Sequence, residues 1–147
     1  MRNANRIPRA SFAALAIVFF SIAAHATTVN LKADLKAAAE VPANDSTGTG
    51  TLTATLNTET NELKYHIEFN GLSGPVVAAH FHGPAAEGTS AKPQLPIKSS
   101  PIVSPIDGSA TLTPEQSKDL TDGKWYFNLH TSGNPRGEVR GQLVKVE

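Results

Sequence analysis

His80 and His82, two positions apart, are the residues of this chain best suited to chemistry. On a strand, side chains at i and i+2 point the same way about 7 Å apart, so His80-Phe81-His82 turns two imidazoles to one side and Phe81 to the other. Neutral imidazole offers a lone pair to zinc, copper, iron or nickel alike. The ordinary alternative is two solvated side chains running into a His-Gly-Pro turn. The chain has no cysteine, so a metal held here is bound through nitrogen and oxygen, and thiol chemistry and disulfides are excluded.

Other chemical signals are weaker. Glu138 and Arg140 share a strand face and could contact an anion, although pairing with each other or with a histidine is the more ordinary use of such charges. Gly48-Thr49-Gly50 completes neither a phosphate loop nor a dinucleotide fingerprint, and Gly71-Leu72-Ser73-Gly74-Pro75 breaks the serine-nucleophile elbow at its last position.

The elements that must position these residues follow from period-two alternation. Val29, Leu31, Ala33 and Leu35 alternate with polar residues, and from 47 to 56 threonines occupy the odd positions while Leu52, Ala54 and Leu56 occupy even ones. Strands are expected at 63–69 and 76–82 as a hairpin, at 108–112, and at 125–130 and 138–146 as a second hairpin. Between 83 and 105, five prolines leave room only for short edge strands. Thr113, Pro114 and Gln116 carry the pattern of a helix start, with Gly123 as its stop. About seven strands and one short helix predict an all-β fold, an antiparallel Greek-key-like sandwich or barrel.

Register then extends the histidine set. If the first hairpin closes on matched core faces, His66 lies opposite His80, and three imidazoles share a face. Closing the second hairpin pairs Leu129 with Val139, Phe127 with Gly141 and Trp125 with Leu143, which sets His130 opposite Glu138, a carboxylate placed to orient the ring. The expected metal ligands are His80, His82, His130 and His66, with Glu138 and Arg140 behind them.

The first ten residues carry Arg2, Arg6 and Arg9 and no acid, an apolar run fills 12–24, and Ala24-His25-Ala26 follows. This is the pattern of a signal peptide over 1–26, cleaved after Ala26, and the apolar run is short for a retained span. A single domain over 27–147 in the periplasm or outside the cell is expected. Without the leader, 10 basic residues face 13 acidic ones, a net charge of −3 with no basic run, which argues against nucleic acid as a partner.

Several stretches together resemble the CHRD (chordin-domain) family. They are Glu40-Val41-Pro42 with Thr47-Gly48, Gly71-Leu72, 79–85 around the histidine pair, Gly123 with 126–131, and 135–143. The resemblance spans nearly all of the expected domain. It departs from the family at Phe81, where a β-branched aliphatic is usual, and at Leu129, where valine is usual. It implies an extracytoplasmic β-domain of the free-standing exported microbial type, with no enzymatic activity to carry over.

The expected function is thus a non-enzymatic exported binding module, with copper or zinc as the candidate ion. Two alternatives stand beside it. One is a copper-dependent enzyme resembling superoxide dismutase, also an exported β-sandwich with an H-x-H strand, although that family's disulfide has no cysteine here. The other is a metal-free adhesive module whose partner is an envelope protein or polysaccharide.

Overall fold

The computed structural model describes residues 27–146, so the expected leader and its cleavage site lie outside the described residues. Nine strands form one antiparallel sheet: β1 (Thr28–Lys36), β2 (Thr49–Asn57), β3 (Glu62–Asn70), β4 (Val76–His82), β5 (Pro93–Pro96), β6 (Ile106–Thr111), β7 (Tyr126–Thr131), β8 (Val139–Gln142) and β9 (Val144–Lys145). A 3-10 turn at Ala37–Ala39 follows β1, and the helix α1 spans Pro114–Thr121. The spatial order is β5-β4-β7-β8-β1-β2-β3-β6, with β9 also against β1. The all-β antiparallel expectation holds, in the form of a sheet curled into a half-barrel. Residues 97–105 stitch its two edges together: Ile97 N–H donates to Ala79 O at 2.9 Å, Ile102 bridges to Val76, and Phe69 N–H donates to Ser104 Oγ at 3.0 Å.

The alternation read from the sequence maps onto the two faces. Leu31, Leu52, Leu56, Ile67, Phe81 and Phe127 are buried within the curl, while Thr49, Thr51 and Thr53 face outward. The proline-bounded β5 pairs only with β4, as an edge strand must when it lacks donors at both ends. At α1, Gln116 N–H donates to Thr113 Oγ1 at 3.1 Å and Thr113 N–H donates to Gln116 Oε1 at 2.9 Å, a complete capping box. Gly123, at φ +73°, takes the left-handed conformation that ends the helix.

One expectation fails. β3 and β4 do not form a hairpin, because β2 takes one edge of β3 and β6 takes the other. The chain instead crosses from β3 to β4, which pairs with β7 and β5, and four strands separate the two in the sheet. His66 therefore lies opposite Thr53 and Asp107, not His80. The core faces still meet, since the rings of Tyr65 and Phe81 lie 5.1 Å apart across the interior of the curl.

Phe81 sits at the centre of this packing, fully buried, with Phe127 at 4.9 Å and Trp125 at 6.3 Å between ring centroids. Phe81→Ala is expected to cost about 3–5 kcal/mol. Urea unfolding at equilibrium should show a lower midpoint with the slope unchanged, and a loss below about 1 kcal/mol would contradict this placement.

Candidate metal centre

The register of β4 on β7 sets His80 opposite Asn128, His82 opposite Tyr126 and Ala78 opposite His130. Phe81 and Leu129 point into the core, so His80, His82, Asn128 and His130 project from the other face. A ligand nitrogen from each of His80, His82 and His130 lies within 4.8 Å of the other two. The His80 ring stands nearly perpendicular to its neighbours, at 87° to His82 and 72° to His130. Bonds of about 2.1 Å to a tetrahedral ion space ligand nitrogens about 3.4 Å apart, so the nitrogens, now within 4.8 Å, would have to draw together by at most about 1.4 Å.

Two of the rings are held from behind by backbone. His82 Nδ1 lies 2.9 Å from Ala91 O, and His130 Nδ1 lies 3.1 Å from Pro135 O. A carbonyl only accepts, so in the neutral ring each Nδ1 carries the proton and each Nε2 presents a lone pair. Such anchoring is the usual support for a metal-bound imidazole. His80 Nδ1 is buried with no hydrogen-bond partner. Burial lowers the His80 pKa, helped by the neighbouring His130 and His82, and burial also lowers that of His82 against the raising effects of Ala91 and Asn128. Both shifts favour the neutral, ligating form.

The loop from 83 to 92 folds over this face because β7 and β8 offer it partners. The Tyr126 ring stacks on His82 at 4.7 Å and 4°, and the Arg140 guanidinium carbon lies 3.4 Å from the centre of the same ring. Arg140 Nη2 donates to Thr89 O at 2.6 Å, and Ala91 N–H donates to the Tyr126 hydroxyl at 3.1 Å. Gly83 permits the loop to turn here, since a Cβ on it would lie 2.3 Å from Trp125 Cδ1.

The expected residues divide clearly. His80, His82 and His130 come together. His66 does not join them: it lies on β3, with its Nδ1 2.7 Å from Asp107 Oδ1 and its Nε2 3.7 Å from Glu68 Oε1, an exposed ion-pair cluster that raises its pKa chiefly through the Asp107 hydrogen bond. Arg140 lies behind the site through Tyr126. Glu138 orients neither His130 nor Arg140. The β7–β8 register ends at Leu129 opposite Val139, so Glu138 escapes the strand alternation and its carboxylate turns to Ser46, Ser73 and Thr131. Pro135 O holds His130 in its place.

Asn128 and Glu40 also lie at the site, and neither stands out in the sequence as a candidate. Asn128 Oδ1 lies 3.0 Å from His82 Nε2 and 3.1 Å from His130 Nε2, and its Nδ2 donates to Glu40 Oε1 at 3.4 Å. The i, i+2 spacing of Asn128 and His130 was a usable signal for the first. Glu40 had none beyond its motif, because it reaches the site from the turn after β1.

The sequence profile of the CHRD domain matches residues 31–143. The chain belongs to the CHRD family. A search of curated proteins and a search of solved structures each returned no match. The CHRD match takes in all three clustered histidines together with Asn128, Glu40, Arg140 and Glu138.

Glu138 is fully buried, and burial alone would raise its pKa. Hydrogen bonds from the Ser46, Thr131 and Ser73 hydroxyls and from the Ser73 N–H outweigh that and hold it at about 2, against an ordinary 4.5. A group with a depressed folded pKa contributes stability that is complete above its unfolded value and is lost as pH falls through the folded one. At 1.36 kcal/mol per unit, Glu138 accounts for about 3 kcal/mol lost between about pH 4.5 and 2. Glu138→Gln should be less stable at neutral pH and should lack this part of the acid dependence, measured by urea unfolding across that range. Parallel stability curves for the two proteins would contradict the assignment.

Proposed function

We propose that this CHRD chain is an exported, non-enzymatic module that holds a single transition-metal ion, copper or zinc, through His80, His82 and His130. The observation that carries this reading is three imidazoles with ligand nitrogens within 4.8 Å of one another, beside a His80 Nδ1 that is buried without a partner. An unpaired buried nitrogen is costly in a finished structure, and a bound cation removes that cost. An all-nitrogen histidine set suits copper and zinc among the common divalent ions.

Export rests on the leader pattern of residues 1–26. No helix among the described residues is long and apolar enough to cross a membrane. The ion is the partner the site chemistry supports. The cluster is half-buried at His80 and His130, so an ion held there would keep an approach from solvent.

Isothermal titration of the purified chain with Cu(II) and Zn(II) should show one ion per chain. Replacing both His80 and His82 by alanine should abolish binding. Because ligands must be deprotonated, affinity should hold at neutral pH and fall only under more acid conditions, since burial lowers the His80 and His82 pKa values from the ordinary imidazole value. At a free ion concentration 100-fold above Kd, the native state gains about 2.7 kcal/mol, which should appear as a higher Tm for the unmodified chain alone. Binding no tighter than millimolar, or an unchanged affinity in the double variant, would remove the assignment.

A further inference from the structure

We propose that Asn128 Oδ1 is a fourth ligand of the ion held by the three histidines, and that Glu40 positions it. This rests on the metal reading above and extends it from a three-nitrogen site to one of three nitrogens and an oxygen.

His82 and His130 each turn Nδ1 to a backbone carbonyl, which accepts only, so their Nε2 atoms carry lone pairs. Both lone pairs point at Asn128 Oδ1, at 3.0 and 3.1 Å, and that oxygen is itself an acceptor. Turning the amide over would bring its NH2 to the two rings, but would set Oδ1 against the Glu40 carboxylate that now accepts from Nδ2 at 3.4 Å. With Glu40 ionised, either orientation sets lone pairs against lone pairs, in a place where Asn128 is only 4% exposed and water cannot readily relieve them. His80 Nδ1, buried and unpartnered, lies in the same cluster.

A cation among these atoms turns each conflict into a bond. The spacing fits Cu(II) in a tetragonal arrangement better than a tetrahedral ion: adjacent ligands at right angles with bonds of about 2.1 Å lie about 3.0 Å apart, the separation of Oδ1 from both Nε2 atoms. Glu40, by accepting from Nδ2, keeps the carbonyl end of the amide turned inward, and Glu40 is itself buried. Burial raises the Glu40 pKa, and the Asn128 amide, the Arg140 charge and the Val41 N–H oppose that by favouring the carboxylate.

The test is Cu(II) titration of the purified, chelator-stripped chain, read as affinity and as the electron paramagnetic resonance spectrum of the bound ion. Asn128→Ala should weaken Cu(II) binding about 10- to 100-fold and change the spectrum. Asn128→Asp, which returns an oxygen to the same place, should restore the affinity, and it carries the test if the alanine variant does not fold. Glu40→Leu should weaken binding while the spectrum keeps its nitrogen couplings, and Glu40→Gln, which retains an acceptor oxygen, should recover it. An Asn128→Ala chain that binds Cu(II) as the parent does, with the same spectrum, overturns the fourth ligand and leaves the three-histidine site standing. So does an Asn128→Asp chain as weak as Asn128→Ala. A parent chain that binds no Cu(II) overturns both.

Discussion

The antiparallel pairing of β4 with β7 is the constraint on which the rest of the molecule depends. A ladder fixes register, and register fixes which side chains meet on both faces at once. On the inner face this pairing sets Phe81 against Phe127 and Ala79 against Leu129, the centre of the core. On the outer face the same pairing sets His80 beside Asn128, His82 beside Tyr126 and Ala78 beside His130. A slip of one residue would bury the imidazoles and expose the rings of the core. The site thus inherits its precision from apolar packing on the opposite side of the sheet.

Buried polar groups hold the periphery to that frame. The Glu138 carboxylate gathers the segment before β2, the connection between β3 and β4, and the end of β7, by accepting from Ser46, Ser73 and Thr131. Asn44 adds to the same knot by donating to the carbonyls of Gly137 and Glu138. The loop carrying Pro135 O, which anchors His130, starts and ends at this knot. On the other side, Arg140 and Tyr126 hold the loop that carries Ala91 O to His82. Each anchoring carbonyl belongs to a loop with little core of its own, and each loop is fixed by a polar contact to β7 or β8. With no disulfide in the chain, these contacts do the tethering that cross-links do in many small exported domains.

Much of this was legible in the residues. Alternation of apolar and polar positions marked β1, β2, β3 and β7, and Thr113-Pro114-Glu115-Gln116 marked the helix start, because these signals are local. The second hairpin was readable down to its register, since Trp125, Phe127 and Leu129 could bury only against Leu143, Gly141 and Val139. The first hairpin was misread for a related reason. Tyr65 and Phe81 do meet, but across the interior of a curled sheet, and a pattern of core faces cannot tell a neighbour in the ladder from a neighbour across the core. His66 was lost to the site by that one ambiguity, and Glu138 by the end of a ladder that alternation assumed would continue.

The sequence by itself determined the family, most of the strands and their two faces, and the pair His80 and His82, because each depends on residue type and spacing within a few positions, although the expected strand 138–146 divides into β8 and β9. Only the tertiary structure decided that His130 completes the group, that Asn128 sits between two of its rings, and that Glu40, far away along the chain, lies behind Asn128. Those neighbours arise from strand order, and strand order depends on which edges remain free after every other strand has paired. That is a property of the whole sheet, which no single segment of the chain carries.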